Sequence, residues 1–435
     1  MQIKQVNGHH RGKNEEDGDN RSQPHEEENQ SVTRLLGVSL MMSPVLLVLY
    51  EGCRPPSEPW RLLGRAEAPL WDWNSLLIVV IYTALQAALY HLPLGYVAEG
   101  KLGKDGKRLT YNCNGIHAFL LSAALLVGMW YCGVFKAHSV TDRANSVVSA
   151  CSLVAFVLAA LLYVSSQEVF LRQKDNGSKF GNLVRKFTLG KMTDPRACNI
   201  DLKQFFMVRI GFIGWAMVDI CYLLENTEED VLPSLPLLLV SVFQLIYILD
   251  FLVDEETVLP TKEFTDEGIG FLMIQGEYVW IPFYSSTPAF FLLQRPAQIS
   301  IYAATLLTLL FGVGFIFYHH SNEQKDGFRK NPNDPAFAKL ETIQSPSGQK
   351  LLVSSWFGWV RHPNYLGDIM MNLAWSLPCG EFLMNMCLCF RTCVLLQVEP
   401  AAFQFKQILS PCRLYQHRPV PPMPRVHQPA KKTCY

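Results

Sequence analysis

The stretch LPSLPLLLVSVFQLIYILDF, residues 232–251, decides the fold. Its twenty residues include a single charged one, Asp250, and they match the ~20 residues that an α-helix needs to cross a bilayer. Comparable apolar blocks recur along the chain, so we predict an all-α fold, a polytopic membrane helix bundle with about 8–10 transmembrane helices. The predicted spans are residues 35–50, 75–94, 116–135, 146–163, 205–224, 232–251, 268–293 and 298–318. A last apolar region, residues 369–390, is broken at Pro378-Cys379-Gly380 and is either a span or a helical hairpin.

The overall composition excludes several classes of protein. The 435 residues include 38 Lys and Arg against 38 Asp and Glu. Nucleic-acid-binding proteins carry a basic excess, so the balance argues against a nucleic acid as a direct partner. The 12 cysteines are scattered and no two of them form a CxxC pair, which argues against a zinc ribbon or a secreted disulfide scaffold.

The chain divides into three predicted regions. Residues 1–34 are polar and lack hydrophobic periodicity, which predicts a disordered N-terminal tail without a signal peptide. Residues 35–398 are the predicted transmembrane domain, and residues 399–435 are a Pro-rich C-terminal tail. If the N-terminus is cytosolic, the cytosolic loops carry far more Lys and Arg than the loops on the other side, as the positive-inside rule requires.

The polar segment NEQKDGFRKNP, residues 322–332, follows the eighth predicted span on the cytosolic side. Lys325 and Arg329 are four residues apart, so on a helical turn they project together. A paired Lys and Arg at a membrane surface suits a phosphate-bearing ligand. The alternative is an anchor that contacts lipid headgroups.

A second polar segment, GWVRHPNYLGD at residues 358–368, is the densest group of hydrogen-bonding side chains in the chain. A plain connector would use Gly, Ser and Lys, so this density indicates a binding site at a membrane entrance. The segment does not offer metal ligands at the usual spacing, and we predict no metal site. Its candidate residues are Trp359, Arg361, His362, Asn364, Tyr365 and Asp368.

Ionisable residues inside predicted spans are costly to bury and usually face other helices or a cavity. Arg209 and Asp219 stand about 15 Å apart along one helix, so they cannot pair with each other and need partners elsewhere. Glu277 lies in the seventh predicted span. The acidic residues between 250 and 267 are either solvated, or hold ribose hydroxyls or act as acids.

Several stretches together resemble the sterol reductase family, in the branch that contains Δ14-sterol reductases and the membrane domain of the lamin B receptor. The match runs from about residue 36 to about residue 380 and has three specific parts. They are NEQKDGFRKNPNDP (322–335), LETIQSPSGQKLLVSSWFGWVRHPNYLGD (340–368) and NLAWSLPCG (372–380). Supporting stretches include HLPLGYVAEG (91–100), DLKQFF (201–206), FQLIYILD (243–250) and GFLMIQGEYVWIPF (270–283).

This resemblance implies a ten-helix enzyme of the endoplasmic reticulum, or of the inner nuclear membrane, that uses NADPH to reduce the Δ14 double bond of a sterol. A proton adds to the alkene, and hydride quenches the resulting carbocation. The candidate proton donor is Tyr247, with Glu277 and Asp266 as weaker candidates. The expected cofactor-binding residues are Lys325, Arg329, Trp359, Arg361, His362, Asn364, Tyr365 and Asp368. The expected partners are a sterol substrate and membrane lipid, with nuclear-envelope proteins as further candidates.

After about residue 380 the sequence departs from the family pattern, which there supplies much of the cofactor site. Two alternatives to the reductase stand beside it. One is a non-catalytic nuclear-envelope scaffold like the lamin B receptor, although residues 1–34 are too short for that protein's chromatin-reading domain. The other is a prenylcysteine-type carboxyl methyltransferase, since those membrane enzymes share an Arg-His-Pro-x-Tyr element.

Overall fold

The computed structural model describes residues 69–102, 108–166, 186–190, 192–228, 232–265, 267–344 and 350–380. Helices dominate this part of the chain. The long ones are Trp73–Tyr90 (α1), Gly115–Tyr131 (α2), Ala144–Ser165 (α4), Leu202–Glu228 (α5), Leu235–Val253 (α6), Ile301–Lys330 (α10) and Pro363–Ser376 (α12). The short ones are His138–Asp142 (α3), Lys262–Thr265 (α7), Phe271–Gln275 (α8), Thr287–Gln294 (α9) and Trp356–Trp359 (α11).

Five of the described helices are long and apolar enough to cross a membrane: α1, α4, α5, α6 and α10. The apolar helix α2 is slightly shorter. This arrangement confirms the prediction of an all-α polytopic membrane protein. The first predicted span, residues 35–50, and both predicted tails lie outside the described residues.

Local sequence signals fix where the spans begin and end. The Ser234 hydroxyl caps α6 by accepting a hydrogen bond from the Leu237 N–H, and Pro236 follows in the first turn, where its missing N–H has no cost. Ser300 caps α10 in the same way. At the other end of the described chain, α12 gives way after Ser376 to a 3₁₀ turn, Leu377–Cys379, which confirms the predicted break.

The seventh predicted span is not a single α-helix. It divides into α8, a π-helical segment Gly276–Tyr284 that contains Pro282, and α9. A proline inside a helix removes one backbone donor, which explains why the α-helical ladder is interrupted there. A second π-helical segment, Phe205–Phe212, lies within α5 and packs against the first.

The eighth predicted span extends further than expected. We placed its end at Tyr318, whereas α10 continues as a helix to Lys330. An ion pair of 2.9 Å between Lys330 and Asp326, one turn apart, supports the additional turns. Lys325 and Arg329 therefore lie on a regular helix, which confirms that they are neighbours along it.

Three two-stranded antiparallel hairpins occupy loops between the long helices. They pair Tyr96–Leu102 (β1) with Arg108–Cys113 (β2), Arg196–Ala197 (β3) with Ile200–Asp201 (β4), and Thr342–Gln344 (β5) with Lys350–Leu352 (β6). The main apolar core is formed by helices α1, α2, α4, α5, α6, α9, α10 and α12 with the two π-helical segments. The hairpins leave the all-α class unchanged.

Candidate active site

The close approach of α10 and α12 positions the two polar segments that the sequence singles out. A Cβ at Gly314 would lie 2.9 Å from the carbonyl oxygen of Gly367, and a Cβ at Gly367 would overlap the carbonyl oxygen of Gly314. Small residues let helix backbones approach this closely in membrane proteins. The helices run antiparallel, so the last turns of α10 lie beside the start of α12.

The structure brings Lys325 to the segment that contains His362. Burial, and then the charges of Arg361 and Lys325, lower the pKa of His362 to about 4. This imidazole is therefore neutral near pH 7, and two cations flank it. Two further contacts join α10 to residues 355–356: the Gln324 amide donates to the Ser355 hydroxyl at 3.1 Å, and the His320 ring stacks on Trp356.

The remaining predicted cofactor residues differ in exposure. The Trp359 side chain is 72% exposed, and Arg329 is also exposed. Tyr365 stacks on the His362 ring with the ring centroids 5.1 Å apart. Asn364 and Arg361 are half-buried, and Asp368 is buried inside the first turns of α12. The group thus extends from the protein surface into the helix interface.

Tyr247 lies in the interior, in a cluster of aromatic side chains. Its ring centroid is 6.0 Å from that of Trp215, 5.8 Å from that of Trp375 and 5.4 Å from that of Tyr318. The Tyr318 side chain is close enough to Tyr247 for the two phenols to interact electrostatically. A phenol surrounded by aromatic rings and close to a second phenol has the chemistry of a proton donor at an apolar site.

Asp250 and His319 form a polar pair next to these tyrosines. The His319 Nδ1 atom lies 2.7 Å from a carboxylate oxygen of Asp250, and both side chains are partly accessible. Asp250 follows Tyr247 by one helical turn, and His319 follows Tyr318 directly. His319 is not among the residues predicted from the sequence, although its position beside Tyr318 at the polar end of a span is a signal for it. With Asp254, this pair places three potential donor atoms within 4.8 Å of one another.

Of the two weaker candidates for the proton donor, Glu277 and Asp266, the structure describes only Glu277. Glu277 is buried on the π-helical segment Gly276–Tyr284, where its carboxylate packs against Gly211 of α5. It therefore lies on the other side of α5 from the Tyr247 cluster. Asp266 lies outside the described residues.

The acidic segment that follows α6 contains a buried structural residue, Glu255. One of its carboxylate oxygens accepts from the Gly115 N–H at 2.8 Å, and the other accepts from the Gln204 amide at 2.6 Å. The Arg209 guanidinium lies 3.9 Å from Glu255 and donates to the Asn114 side chain. Burial raises the pKa of Glu255 even though Arg209 and these donors favour its ionised form.

Within the acidic segment, Glu255 is thus buried and engaged by Gly115, Gln204 and Arg209, so the solvated alternative does not apply to this residue. This network confirms that Arg209 finds its partners on other elements. The Tyr90 hydroxyl joins the network by donating to Gln204, and the exposed Glu256 pairs with Lys330. These contacts place the ends of α1, α6 and α10 and the starts of α2 and α5 together. We call this side of the bundle the polar end.

A large apolar cavity of about 390 Å³ lies on the other side of α5 from Tyr247. It is lined by residues of α1, α2, α3, α4, α5 and the π-helical segment Gly276–Tyr284. Gly214 and Met217 of α5 face it, whereas Phe212 and Trp215 of the same helix contact Tyr247. The sequence gives no signal for this cavity, since its lining residues are ordinary residues of apolar helices.

Comparison with known proteins identifies relatives over most of the chain. A model of the ergosterol biosynthesis ERG4/ERG24 family matches residues 46–399. The Delta(14)-sterol reductase TM7SF2 of Mus musculus is 41% identical over 311 residues, which are 72% of this chain and 74% of the mouse protein. The Delta(14)-sterol reductase LBR of Gallus gallus is 39% identical over 315 residues, or 72% of this chain and 49% of the chicken protein. The Delta(14)-sterol reductase of Arabidopsis thaliana is 34% identical over 312 residues, or 71% of this chain and 82% of the plant protein.

Proposed function

This chain belongs to the ergosterol biosynthesis ERG4/ERG24 family, and we propose that it is a membrane-bound Δ14-sterol reductase. It reduces the C14–C15 double bond of sterol intermediates in sterol biosynthesis. The observation that carries the proposal is the pair of neighbouring phenols Tyr247 and Tyr318 among aromatic side chains. Tyr318 lies on α10, the same helix that carries the basic residue Lys325. Tyr318 and Lys325 are about 10 Å apart along this helix. A proton donor and an anion-binding group are thus within the length of one cofactor.

NADPH is the proposed cofactor, and when bound it supplies the hydride. The fit of the site rests on the charge around His362, where Lys325 and Arg361 place two cations beside a neutral imidazole. Lys325 and Arg329 would hold phosphate groups, because cations on successive turns of a helix suit a polyanion. The half-buried side chains of Asn364 and Tyr365, with Trp359 at the surface, would hold the uncharged parts.

The proton is proposed to come from the Tyr247 hydroxyl. Protonation of the sterol alkene leaves a carbocation, and the apolar aromatic surroundings of Tyr247 exclude water that would otherwise capture it. Tyr318 would return a proton to Tyr247, because the two phenol side chains are neighbours. The Asp250–His319 pair, partly accessible at the polar end, is positioned to exchange protons with solvent.

The proposed location is the membrane of the endoplasmic reticulum, with the inner nuclear membrane as an alternative. The N-terminus and the polar end face the cytosol in this proposal. The support for this orientation is the concentration of Lys and Arg in the loops assigned to that side. NADPH and protons would then enter from the cytosol, while the sterol enters from the bilayer.

Conversion of a defined sterol tests the proposed function. Membranes that contain the full chain should convert a Δ8,14-sterol to its Δ8 product when NADPH is added, and should leave it unchanged without NADPH. Absence of conversion, with the protein present and correctly folded, would overturn the reductase and favour the nuclear-envelope scaffold. Transfer of a methyl group to a prenylcysteine substrate would instead support the carboxyl methyltransferase.

Titration with NADPH tests the cofactor residues separately from turnover. Lys325→Met should weaken binding by about 10- to 100-fold, the effect of losing one charge-assisted hydrogen bond. Lys339→Met is the matched control, because Lys339 is exposed after the end of α10. Equal affinity in the two variants would return Lys325 to the role of a lipid-headgroup anchor.

A further inference from the structure

We propose that the apolar cavity beside α5 is a second, non-catalytic binding site for a sterol. The choice of a sterol rests on the proposed function, because that function places the protein in a membrane that contains sterols. The cavity itself rests on geometry alone. Its volume of about 390 Å³ falls within the range of small-molecule sites, about 300–1,000 Å³.

The cavity is separated from the candidate active site in two directions. Across the bundle, α5 stands between it and Tyr247. Along the bundle, it extends away from the polar end: Met129, which lines it, is fourteen residues beyond Gly115 in α2, a rise of about 21 Å. Phe135 and Val140, beyond the end of α2, also line it. A ligand here would not contact the residues proposed for catalysis or cofactor binding.

Among the described residues, the cavity opens on the apolar outer surface of α1 and α2. Its lining includes Ile78, Ile81 and Leu125, whose side chains are 48%, 56% and 46% exposed. All three lie on apolar helices, and exposed apolar surface on such helices suits contact with a bilayer. A ligand therefore enters from the membrane.

The chemistry of the wall selects an apolar ligand with little polar surface. Water suits a cavity with several polar partners, whereas the described residues of this wall include no charged side chain. Two of its hydroxyl groups are already engaged: that of Tyr82 donates to the Arg209 carbonyl at 2.8 Å, and that of Tyr278 shares a hydrogen bond of 3.0 Å with Thr83. An empty cavity of this size would be destabilising, because its lining atoms would lose dispersion contacts.

One polar group of the wall has capacity left for a ligand. The Ser122 hydroxyl accepts a hydrogen bond of 2.9 Å from the Gln86 amide and keeps its own proton to donate. The carbonyl oxygen of Gln86, fully buried beside it, has no hydrogen-bond partner among the described residues. A sterol matches this inventory, since it has one hydroxyl on a fused-ring body. A phospholipid matches less well, because an acyl chain entering the cavity carries no group that could hydrogen-bond with Ser122 or Gln86.

Photolabelling tests the site without requiring turnover. The full chain in phosphatidylcholine nanodiscs is irradiated with a sterol that carries a diazirine, and the labelled peptides are identified by mass spectrometry. We expect labels within Trp73–Tyr90 and Gly115–Tyr131, with competition by unlabelled sterol. Labels only on α6, α10 and α12, or competition by added phospholipid in place of sterol, would overturn the proposal.

Variants of α2 make the test specific. Leu126→Trp fills the cavity and should lower labelling of α2 by about tenfold, or about 1.4 kcal/mol of binding free energy. Leu121→Trp on the lipid-facing side of the same helix should leave labelling unchanged. If Leu126→Trp does not fold, Val147→Phe fills the cavity from α4. Equal labelling of cavity and control variants would overturn the site, whereas labelling without Δ14 reduction would overturn only the proposed function.

Discussion

Tyr247 gains its proposed role from three neighbours that are distant in sequence. The side chains of Trp215, Trp375 and Tyr318 surround its ring. Each comes from a different helix, so the site forms only when α5, α6, α10 and α12 pack together. The sequence could indicate Tyr247 as a polar residue near the end of a span, but its partners depend on the tertiary contacts.

Replacing Tyr247 with phenylalanine should remove the proposed proton donor and retain the packing. We expect the rate of sterol reduction to fall by about 100-fold or more, as is typical when a general acid is lost. NADPH affinity should remain unchanged, because Tyr247 is not among the cofactor residues. The control is Tyr302→Phe, since that side chain is 84% exposed on α10. An unchanged rate in Tyr247→Phe would transfer the proton-donor role to another residue.

His362 should make the folded protein less stable in acid. Its pKa is lowered to about 4 by burial and by Arg361 and Lys325, whereas an unfolded histidine titrates near 6.5. As the pH falls from 6.5 to 4, the unfolded state binds a proton that the folded state does not, so the free energy of unfolding decreases. The full effect is about 3 kcal/mol.

The measurement is the thermal unfolding midpoint of the detergent-solubilised protein between pH 4 and pH 7. His362→Gln removes the titrating group, so its midpoint should depend less steeply on pH than that of the wild-type protein. Parallel pH profiles would show that His362 does not titrate in this window.

At the scale of helices, the apolar pattern predicts the spans well because a bilayer imposes one length and one composition on them. The pattern predicts the interruptions less well. The π-helical segments Phe205–Phe212 and Gly276–Tyr284 lie inside predicted spans without a sequence signal of their own, because a shift of backbone hydrogen bonding leaves no periodic pattern. The polar turns of α10 also looked like a loop, although an ion pair within the helix stabilises them.

In the candidate site, too, some features could be predicted from the sequence and others could not. The two polar segments were expected on one side of the membrane, and the structure places Lys325 beside His362. The pairing of Asp250 with His319 and the burial of Glu255 could not be predicted, because each depends on residues from separate elements. Composition marks where polar chemistry is concentrated, whereas only packing decides which polar groups meet.

The α10–α12 interface should tolerate no side chain at Gly367. Gly367→Ala places a methyl group against the carbonyl oxygen of Gly314, and we expect it to lower stability by about 1–3 kcal/mol. Because this interface aligns Lys325 with His362, NADPH affinity should fall as well. Gly312→Ala is the matched control, since a Cβ there meets no atom within 4 Å. Similar thermal unfolding midpoints for the two variants would contradict the proposed close packing.

At the scale of the whole molecule, the network around Glu255 joins parts of the bundle that are far apart in sequence. It connects the end of α6 to the starts of α2 and α5 through Gly115 and Gln204. It is buried, so each of its polar groups needs a partner within the protein. The network therefore holds the half of the bundle that contains the cavity against the half that contains Tyr247.

Glu255→Ala should destabilise the protein by about 3–5 kcal/mol, because it leaves the buried Arg209 guanidinium without its carboxylate. Glu256→Ala, one residue along, removes an exposed partner of Lys330 and should change stability by about 1 kcal/mol or less. The comparison is made by thermal unfolding of the two purified variants. If Glu256→Ala lost much stability and Glu255→Ala little, the two halves of the bundle would be held together at the surface of the polar end. A larger loss in Glu255→Ala, as we expect, would show that the buried network holds them together. Its disruption would then also loosen the contacts of α5 with both the cavity and Tyr247.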